Sequence, residues 1–410
     1  ETWGDEFKKL YYEYVELGLG TPISLKSIWD LLLRSQPESG KPYVFNWDNA
    51  NKYNNQKHLG IITGSNLCIE ITEVTKPQYT AQCALASINL ARNLSLSEIA
   101  EAAKILCRFL NRGLDKHEWS TPAAKKAGMQ QRALAIGIAG LADHLAIKGI
   151  AYEDSIEYQG LIIETIYKAA IEESHRIAIE EGIVFDTWEN SIYNLGGTQG
   201  DVSFNNFPVA NSLFVGLMPT ASTSALLGVN ESFEAFSSNL FVRQIDTGEF
   251  TIINKHLVFD LEKRGLWNST IREQIIQDSG SVQDIDIPDD LKKIYKTIWE
   301  IKPRILLDCA IARQKYVDQS QSLNMYYSEP KASTMTTSLL YAWKNGLKTG
   351  VYYTRTRPSL VKPKRLGKSQ ENQERQKDNQ VNQISQDNQK PQTSTMISPS
   401  WEIFCEGCTT

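Results

Sequence analysis

Ser65-Asn66-Leu67-Cys68-Ile69-Glu70-Ile71, with Cys83 fifteen residues beyond Cys68, is the stretch from which the rest of the chain can be read. The spacing predicts an extended strand. Side chains alternate along a strand, so Asn66, Cys68 and Glu70 would project to one side and Leu67, Ile69 and Ile71 to the other. An amide, a thiol and a carboxylate would then face one cavity, backed by an apolar face suited to a core. The same alternation fits a half-buried strand whose polar face meets water, and alternation alone leaves both readings open.

The composition sets bounds on what such a site could serve. The chain has 410 residues, 41% hydrophobic and 22% charged, which is ordinary globular material for one large or two medium domains. A net charge of −5 argues against a nucleic-acid partner, which needs a basic patch or stripe. No window approaches the roughly 18 to 20 apolar residues of a membrane span. Six cysteines, at 68, 83, 107, 309, 405 and 408, are too sparse for a disulfide scaffold. Reduced or redox-cycling thiols in a cytoplasmic setting fit better.

Around the opening stretch, helical spacing predicts an amphipathic helix from Asp5 to Leu17. A second is capped by Ser24 and runs through Leu33, ending before Gln36-Pro37. A short strand spans Tyr43 to Phe45. Ala81 to Leu90 reads as a core strand with Cys83 near its start, followed by a helix from Ser97 to about Arg112. Cys107 and Cys309 read as small buried hydrophobes. The glycines in Arg132 to Ile147 read as close-packing positions. His144 and His175 read as surface or packing residues, with no metal-ligand spacing. A long helix covers Ser155 to Glu181.

Asn211 to Met218 reads as a strand, Pro219-Thr220-Ala221-Ser222-Thr223 as a turn, and Ala225-Leu226-Leu227 as a helix start. A hydroxyl-rich turn at a helix N-terminus presents unpaired N–H groups and the positive end of the dipole to an anion. It is equally the composition of an ordinary N-cap. A further helix runs from Lys302-Pro303 to about Val317, then Asp318 to Asn324 reads as structural. Thr334 to Asn345 is helical with Gly346 as its stop, and Thr349 to Thr354 is the last strand. Tyr352 and Tyr353 on that strand would point to opposite faces.

From Lys362 to about Ser398 the sequence collapses into Gln, Asn, Lys, Ser and Pro and reads as disordered. A flexible tether of about 36 residues spans roughly 30–35 Å. At its end sits Cys405-Glu406-Gly407-Cys408. The pair reads as a redox shuttle, against half of a zinc site or an incidental tail; zinc would need two further ligands nearby.

Four motifs in order carry a resemblance: Asn66 to Glu70 with Cys83; Leu217 to Thr223 running on to Gly228-Val229-Asn230-Glu231-Ser232; Tyr352-Tyr353; and the terminal Cys405/Cys408 pair. Ile136-Gly137-Ile138-Ala139-Gly140-Leu141-Ala142-Asp143 and Asp318 to Asn324 agree with it. Together the chain resembles the C-terminal half of class I ribonucleoside-diphosphate reductase large subunits. The resemblance implies an α/β fold, the C-terminal part of the ten-stranded reductase barrel with a finger loop carrying Cys68, plus a disordered C-terminal tail. The implied division is 1–358 for the barrel part, 359–398 for the linker and 399–410 for the redox tail.

It also implies roles. Cys68 becomes a thiyl radical and abstracts the ribose 3′-hydrogen, Glu70 is the general base, and Asn66 positions the hydroxyls. Cys83 is one half of a redox-active pair whose other half lies upstream. Cys405 and Cys408 re-reduce that pair and are reduced in turn by thioredoxin or glutaredoxin. Tyr352 and Tyr353 relay the radical from a metal-containing small subunit. Ser65, Asn66, Glu70 and Pro219, Thr220, Ala221, Ser222 and Thr223 bind the diphosphate substrate. No metal is expected on this chain, and allosteric nucleotides (ATP, dNTP) are expected on an upstream half. The alternatives are a non-catalytic relative, an adenosylcobalamin-dependent reductase, and a chain inert without a separately made upstream polypeptide.

Overall fold

The computed structural model describes residues 2–245 and 248–357. Cys405, Cys408 and the Gln/Asn/Lys-rich linker lie outside the described residues. In chain order, α1 (Gly4–Glu16) and α2 (Leu25–Ser39) lead into β1 (Val44–Phe45) and α3 (Trp47–Lys52). Then come β2 (Ala84–Asn89), α4 (Leu96–Lys116), α5 (Pro122–Gln131), β3 (Leu134–Ala139), α6 (Leu141–Lys148) and α7 (Ile156–Glu181). A small hairpin region holds α8 (Ile192–Leu195), β4 (Gly197–Gln199) and β5 (Val202–Phe204). After α9 (Ala221–Leu227) a second hairpin, β6 (Leu240–Ile245) and β7 (Gly248–Ile253), precedes α10 (Lys255–Lys263), α11 (Ser269–Gln277) and α12 (Asp289–Ile294). The chain closes with α13 (Pro303–Gln314), β8 (Met325–Tyr327), α14 (Ala332–Lys344), β9 (Thr349–Val351) and β10 (Thr354–Thr356).

The wall that positions the site is built from extended segments running in one direction. β2 pairs parallel with β3 from Ala84↔Leu134 to Asn89↔Ala139. On the far side of β3, Leu134 and Ile136 donate their N–H groups to the carbonyls of Leu213 and Phe214. Residues 213–217 next meet 319–322, through Gln319 to Val215, Leu217 to Ser320 and Ser322 to Leu217. Leu323 accepts from Tyr352, and β10 pairs parallel with β8. Parallel neighbours need crossovers, and helices supply them: α4, α7, α13 and α14 share one core with the strands, including Ile88, Ile136, Phe214 and Leu323. Each fully buried aliphatic or Phe side chain there contributes roughly 1.5–3 kcal/mol.

Local sequence explains several boundaries. Ser95 caps α4 and forms a capping box with Glu98. Gly140, at φ +71°, ends β3 in the left-handed region and turns the chain into α6. Gly137 lies so close to its neighbours that a Cβ would stand 2.8 Å from the Met218 sulfur and 3.0 Å from the Gly216 carbonyl. Gly216 is equally confined, its Cβ position lying 2.9 Å from Ala135 Cβ. The packing glycines are thus strand glycines as much as helix glycines. Behind the wall, buried Asn211 accepts from Ser174 (2.8 Å) and Asn111 (2.9 Å) and donates to the Arg132 carbonyl (2.6 Å).

Four expectations are corrected. α2 continues through Pro37 to Ser39 and is stopped by Gly40 at φ +76°. Pro37 lies in the last turn, where its missing N–H costs the one bond to the Leu33 carbonyl and only two helical residues follow it. Residues 211–218 are extended without a regular ladder, because the Asp318 carboxylate takes the Phe214 and Val215 N–H groups, each at 2.8 Å. α9 begins at Ala221, so Ser222 and Thr223 lie in its first turn rather than before it. Tyr352 and Tyr353 sit between β9 and β10 instead of within one strand. His144, read as a surface or packing residue, is a packing one: fully buried, its ring nitrogens bonded to the Leu90 carbonyl and the Tyr158 hydroxyl. His175 is partly buried against Phe207, and Cys107 and Cys309 are core residues, as read.

Candidate active site

The opening stretch is a loop, and this is the largest departure from the alternation reading. Asn66 Oδ1 accepts from the Ile71 N–H at 3.1 Å, and Ser65 Oγ donates to the Ile71 carbonyl at 2.5 Å. The Asn66 carbonyl takes the Ile69 N–H, and Ile69 adopts φ +56°. A β-branched residue in the left-handed region is strained, and the surrounding bonds hold it there. Two polar side chains thus close a turn over the segment and break the period of two. Cys68 and Ile69 are both buried while Leu67 is 71% exposed.

The wall grips this loop at successive residues. Ser322 Oγ donates to the Cys68 carbonyl at 2.7 Å, Ser320 N–H to the Glu70 carbonyl at 2.8 Å, and Thr349 Oγ1 to the Ile69 carbonyl at 3.2 Å. The Gln319 side-chain oxygen accepts the Thr72 N–H at 3.0 Å. Asp318 to Asn324, read as structural from sequence, therefore also supplies the contacts that present the loop.

Ser322 ties Cys68 and Glu70 to one point of the wall. The Tyr352 hydroxyl donates to Cys68 Sγ at 3.2 Å. Glu70 is almost fully buried, and burial raises its carboxyl above the usual range, opposed by hydrogen bonds including those from Asn66 and Ser322. Ser322 Oγ reaches Glu70 Oε2 at 3.2 Å. One serine hydroxyl thus meets both the Cys68 carbonyl and the Glu70 carboxylate, and Asn66 bonds the same carboxylate.

Tyr352 and Tyr353 do not point apart. Their ring centroids are 4.4 Å from each other, and both contact Tyr43, at 4.8 and 4.9 Å. Tyr43 is a member of the site that the sequence reading missed; its only signal was its place before β1, which pairs with β9. Burial pushes the Tyr352 phenol well up, with the neighbouring Cys68 adding to the rise, so the ring stays protonated.

Cys83 immediately precedes β2 and receives the Gln319 Nε2 at 2.9 Å. Glu73, also missed, faces the same thiol from the loop after Ile71. In the Pro219–Thr223 segment Thr220 turns inward, meeting Ser224 Oγ at 2.8 Å and accepting the Ser232 N–H at 2.7 Å. It therefore gives α9 no side-chain cap, and Ala221, Ser222 and Thr223 are exposed. Through Leu217 the segment connects to Ser320 and Ser322, which hold the Cys68–Glu70 loop. Among the described residues no cluster of three or more His, Cys, Asp or Glu could hold a metal, and no helix is long and apolar enough to cross a membrane.

The sequence profile of the ribonucleotide reductase barrel domain matches residues 1–353. The chain belongs to the ribonucleotide reductase barrel-domain family. It is 39% identical over 386 residues to the ribonucleoside-diphosphate reductase large subunit of Danio rerio, covering 87% of this chain and 48% of that protein. It is 40% identical over 384 residues to the large subunit of Plasmodium falciparum (isolate Dd2), again over 87% and 48%. A solved structure, the Actinobacillus ureae class Id ribonucleotide reductase alpha subunit, matches with a TM-score of 0.69 at 26% identity, over 82% of this chain and 61% of that one. The chain spans about half the length of the curated relatives it matches. The expected α/β fold, part of the reductase barrel, thus holds, and within this ribonucleotide reductase barrel residues 65–71 form the loop that carries Cys68.

Proposed function

We propose that this chain is the catalytic-barrel part of a ribonucleoside-diphosphate reductase large subunit, reducing ribonucleoside diphosphates to 2′-deoxyribonucleoside diphosphates. The observation that carries the reading is the Tyr352–Cys68 hydrogen bond, with Glu70 held next to it by Ser322. Replacing an unactivated 2′-hydroxyl by hydrogen calls for radical chemistry at carbon. A buried cysteine touching one tyrosine of a cluster of three in edge and tilted contact is suited to receive an oxidising equivalent and to use it as a thiyl.

In this reading Cys68 takes the 3′-hydrogen of the ribose and Glu70 removes the 3′-hydroxyl proton. Asn66 orders both the loop and the carboxylate. Ala221, Ser222 and Thr223 offer first-turn N–H groups and hydroxyls to the substrate phosphates, with Pro219 and Thr220 shaping the turn. Cys83 and a second cysteine beyond this chain supply two electrons and become a disulfide. Cys405 and Cys408 return the electrons by thiol exchange from thioredoxin or glutaredoxin. The partners are a metal-containing small subunit and the polypeptide that completes the barrel and binds allosteric nucleotides.

The test is CDP reduction by the purified chain with a small subunit and thioredoxin, with and without a co-expressed upstream half. Activity in the complete mixture, lost in Cys68→Ser with the fold retained, supports the reading. Deoxynucleotide production by Cys68→Ser overturns it.

A further inference from the structure

Glu73 has no role in the chemistry above, yet its carboxyl is 5% exposed and faces the thiol of Cys83. Gln319 binds the two together. Its Nε2 lies 2.9 Å from Cys83 Sγ, 3.4 Å from Glu73 Oε1 and 3.0 Å from the Leu134 carbonyl. Its Oε1 is occupied by the Thr72 N–H, so the amide orientation follows from the bonding: the NH2 end must face Cys83 and Glu73. The Gln82 backbone N–H adds a bond to Glu73 from the residue just before Cys83.

The other groups facing this pair are neutral or acidic. They are the Tyr79 hydroxyl and the Asp318 carboxyl, while Lys348 directs its charge to Asp318. A carboxyl buried without a cation is held protonated. Burial pushes Glu73 up to about 8, against the opposing hydrogen bonds from Cys83 and Gln319. Burial, then the charge of Glu73, pushes the Cys83 thiol well above its ordinary value. A bare thiolate at Cys83 is therefore costly, and a proton lies beside it.

We propose that Glu73 is the proton donor to the Cys83 sulfur when the disulfide formed by Cys83 is reduced. The inference rests on the redox role assigned to Cys83 above. A thiolate of the incoming dithiol attacks the partner sulfur of the Cys83 disulfide. A new S–S bond forms there, the old one breaks, and its electron pair leaves on Cys83 Sγ. Glu73 delivers its carboxyl proton to that sulfur and becomes a carboxylate. The second thiol of the dithiol then attacks the first dithiol sulfur, giving its proton to the Glu73 carboxylate; the mixed disulfide breaks, its electron pair leaves on the partner sulfur, and that sulfur takes from solvent the proton the first thiol lost on ionising. The dithiol is oxidised by two electrons and loses two protons; the Cys83 pair gains both.

The test needs neither nucleotide nor small subunit, so it stands or falls separately from CDP reduction. In the full chain carrying Cys405→Ser and Cys408→Ser, methyl methanethiosulfonate converts Cys83 to a methyl disulfide. Dithiothreitol then releases it, followed by peptide mass spectrometry from about pH 6 to about pH 9.5, a range spanning the ionisation of Glu73. The rate per dithiothreitol thiolate should be constant at low pH and fall as pH passes about 8. In Glu73→Gln it should be about 100-fold slower at neutral pH and flat throughout; Glu73→Asp should restore the fall. Matching profiles for wild type and Glu73→Gln overturn the proposal. Cys107 and Cys309, fully buried, must stay unmodified in the same samples as a record of folding. Should Glu73→Gln fail that control, a wild-type profile without the fall is by itself enough to overturn the proposal.

Discussion

The hydroxyl of Tyr352 donates a 3.2 Å hydrogen bond to the sulfur of Cys68, across 284 residues of sequence. The main chain fixes this approach from both sides. Tyr352 N–H bonds the Leu323 carbonyl, and the Ser322 hydroxyl bonds the Cys68 carbonyl. Tyr352→Phe keeps the ring among Tyr43 and Tyr353 and removes only the hydroxyl. We expect reductase turnover in the assembled enzyme to fall below about 1% of wild type, because in the proposed radical route the phenolic O–H is the redox-active bond. Near-ultraviolet circular dichroism should be unchanged. Turnover above a tenth of wild type would remove Tyr352 from the radical route.

Ser322 holds two groups with one hydroxyl, and its loss should be visible in a pH profile. Ser322→Ala deletes a donor that opposes the burial of Glu70, so the Glu70 carboxyl moves further up. The base proposed for Glu70 acts as the carboxylate, so on that proposal activity rises with pH as Glu70 ionises. The acid limb of the kcat/KM profile should therefore shift to higher pH, with activity near neutrality reduced about tenfold. An unshifted limb would disconnect Ser322 from the base.

Asn211 lies far from the loop, in the buried network with Asn111, Ser174 and the Arg132 carbonyl. Asn211→Ala leaves several of these groups without partners in a dry core. Each such group costs about 1–3 kcal/mol. The midpoint of urea unfolding should fall markedly, while the pH dependence of any remaining turnover stays as in wild type.

Glu73 also makes a stability prediction. Its carboxyl, at about 8 in the folded chain, binds a proton more tightly than in the unfolded chain, where 4.5 is ordinary. Between these values the folded state holds more protons, so this group's contribution to stability falls as pH rises and levels off above about 8. Glu73→Gln abolishes that contribution. The difference in unfolding midpoint between wild type and Glu73→Gln should move in favour of the variant from about pH 5 to about pH 8. A constant difference would mean that Glu73 is ionised throughout.

Much of the framework was legible because its signals are local. The apolar stripe of α7 and the Gly346 stop each act within a few residues, whereas the Ser95/Glu98 capping box of α4 and the Gly40 stop of α2 went unread. The finger loop was legible in composition and illegible in shape. Asn66 and Ser65 bond to Ile71, and Ile69 takes a left-handed conformation that a β-branched residue does not advertise. Tyr43, Gln319 and Ser322 were missed as site residues because only the tertiary fold sets them against partners distant in sequence. Asp318 illustrates the same limit from the other side. Its carboxylate replaces ladder bonds of the 213–217 segment, which an alternation count cannot register.

Gly137 and Gly216 leave no room for a methyl group between two neighbouring strands. The atom in the way at Gly137 is the sulfur of Met218, which also receives the Ser87 hydroxyl, and the Met218 carbonyl is held by Ser232. Met218 is followed directly by Pro219 and the first turn of α9. A methyl added at Gly137 would press on that sulfur and on the Gly216 carbonyl at once, so a change deep in the wall would be felt at the residue just before the turn to which the proposed function assigns the substrate phosphates.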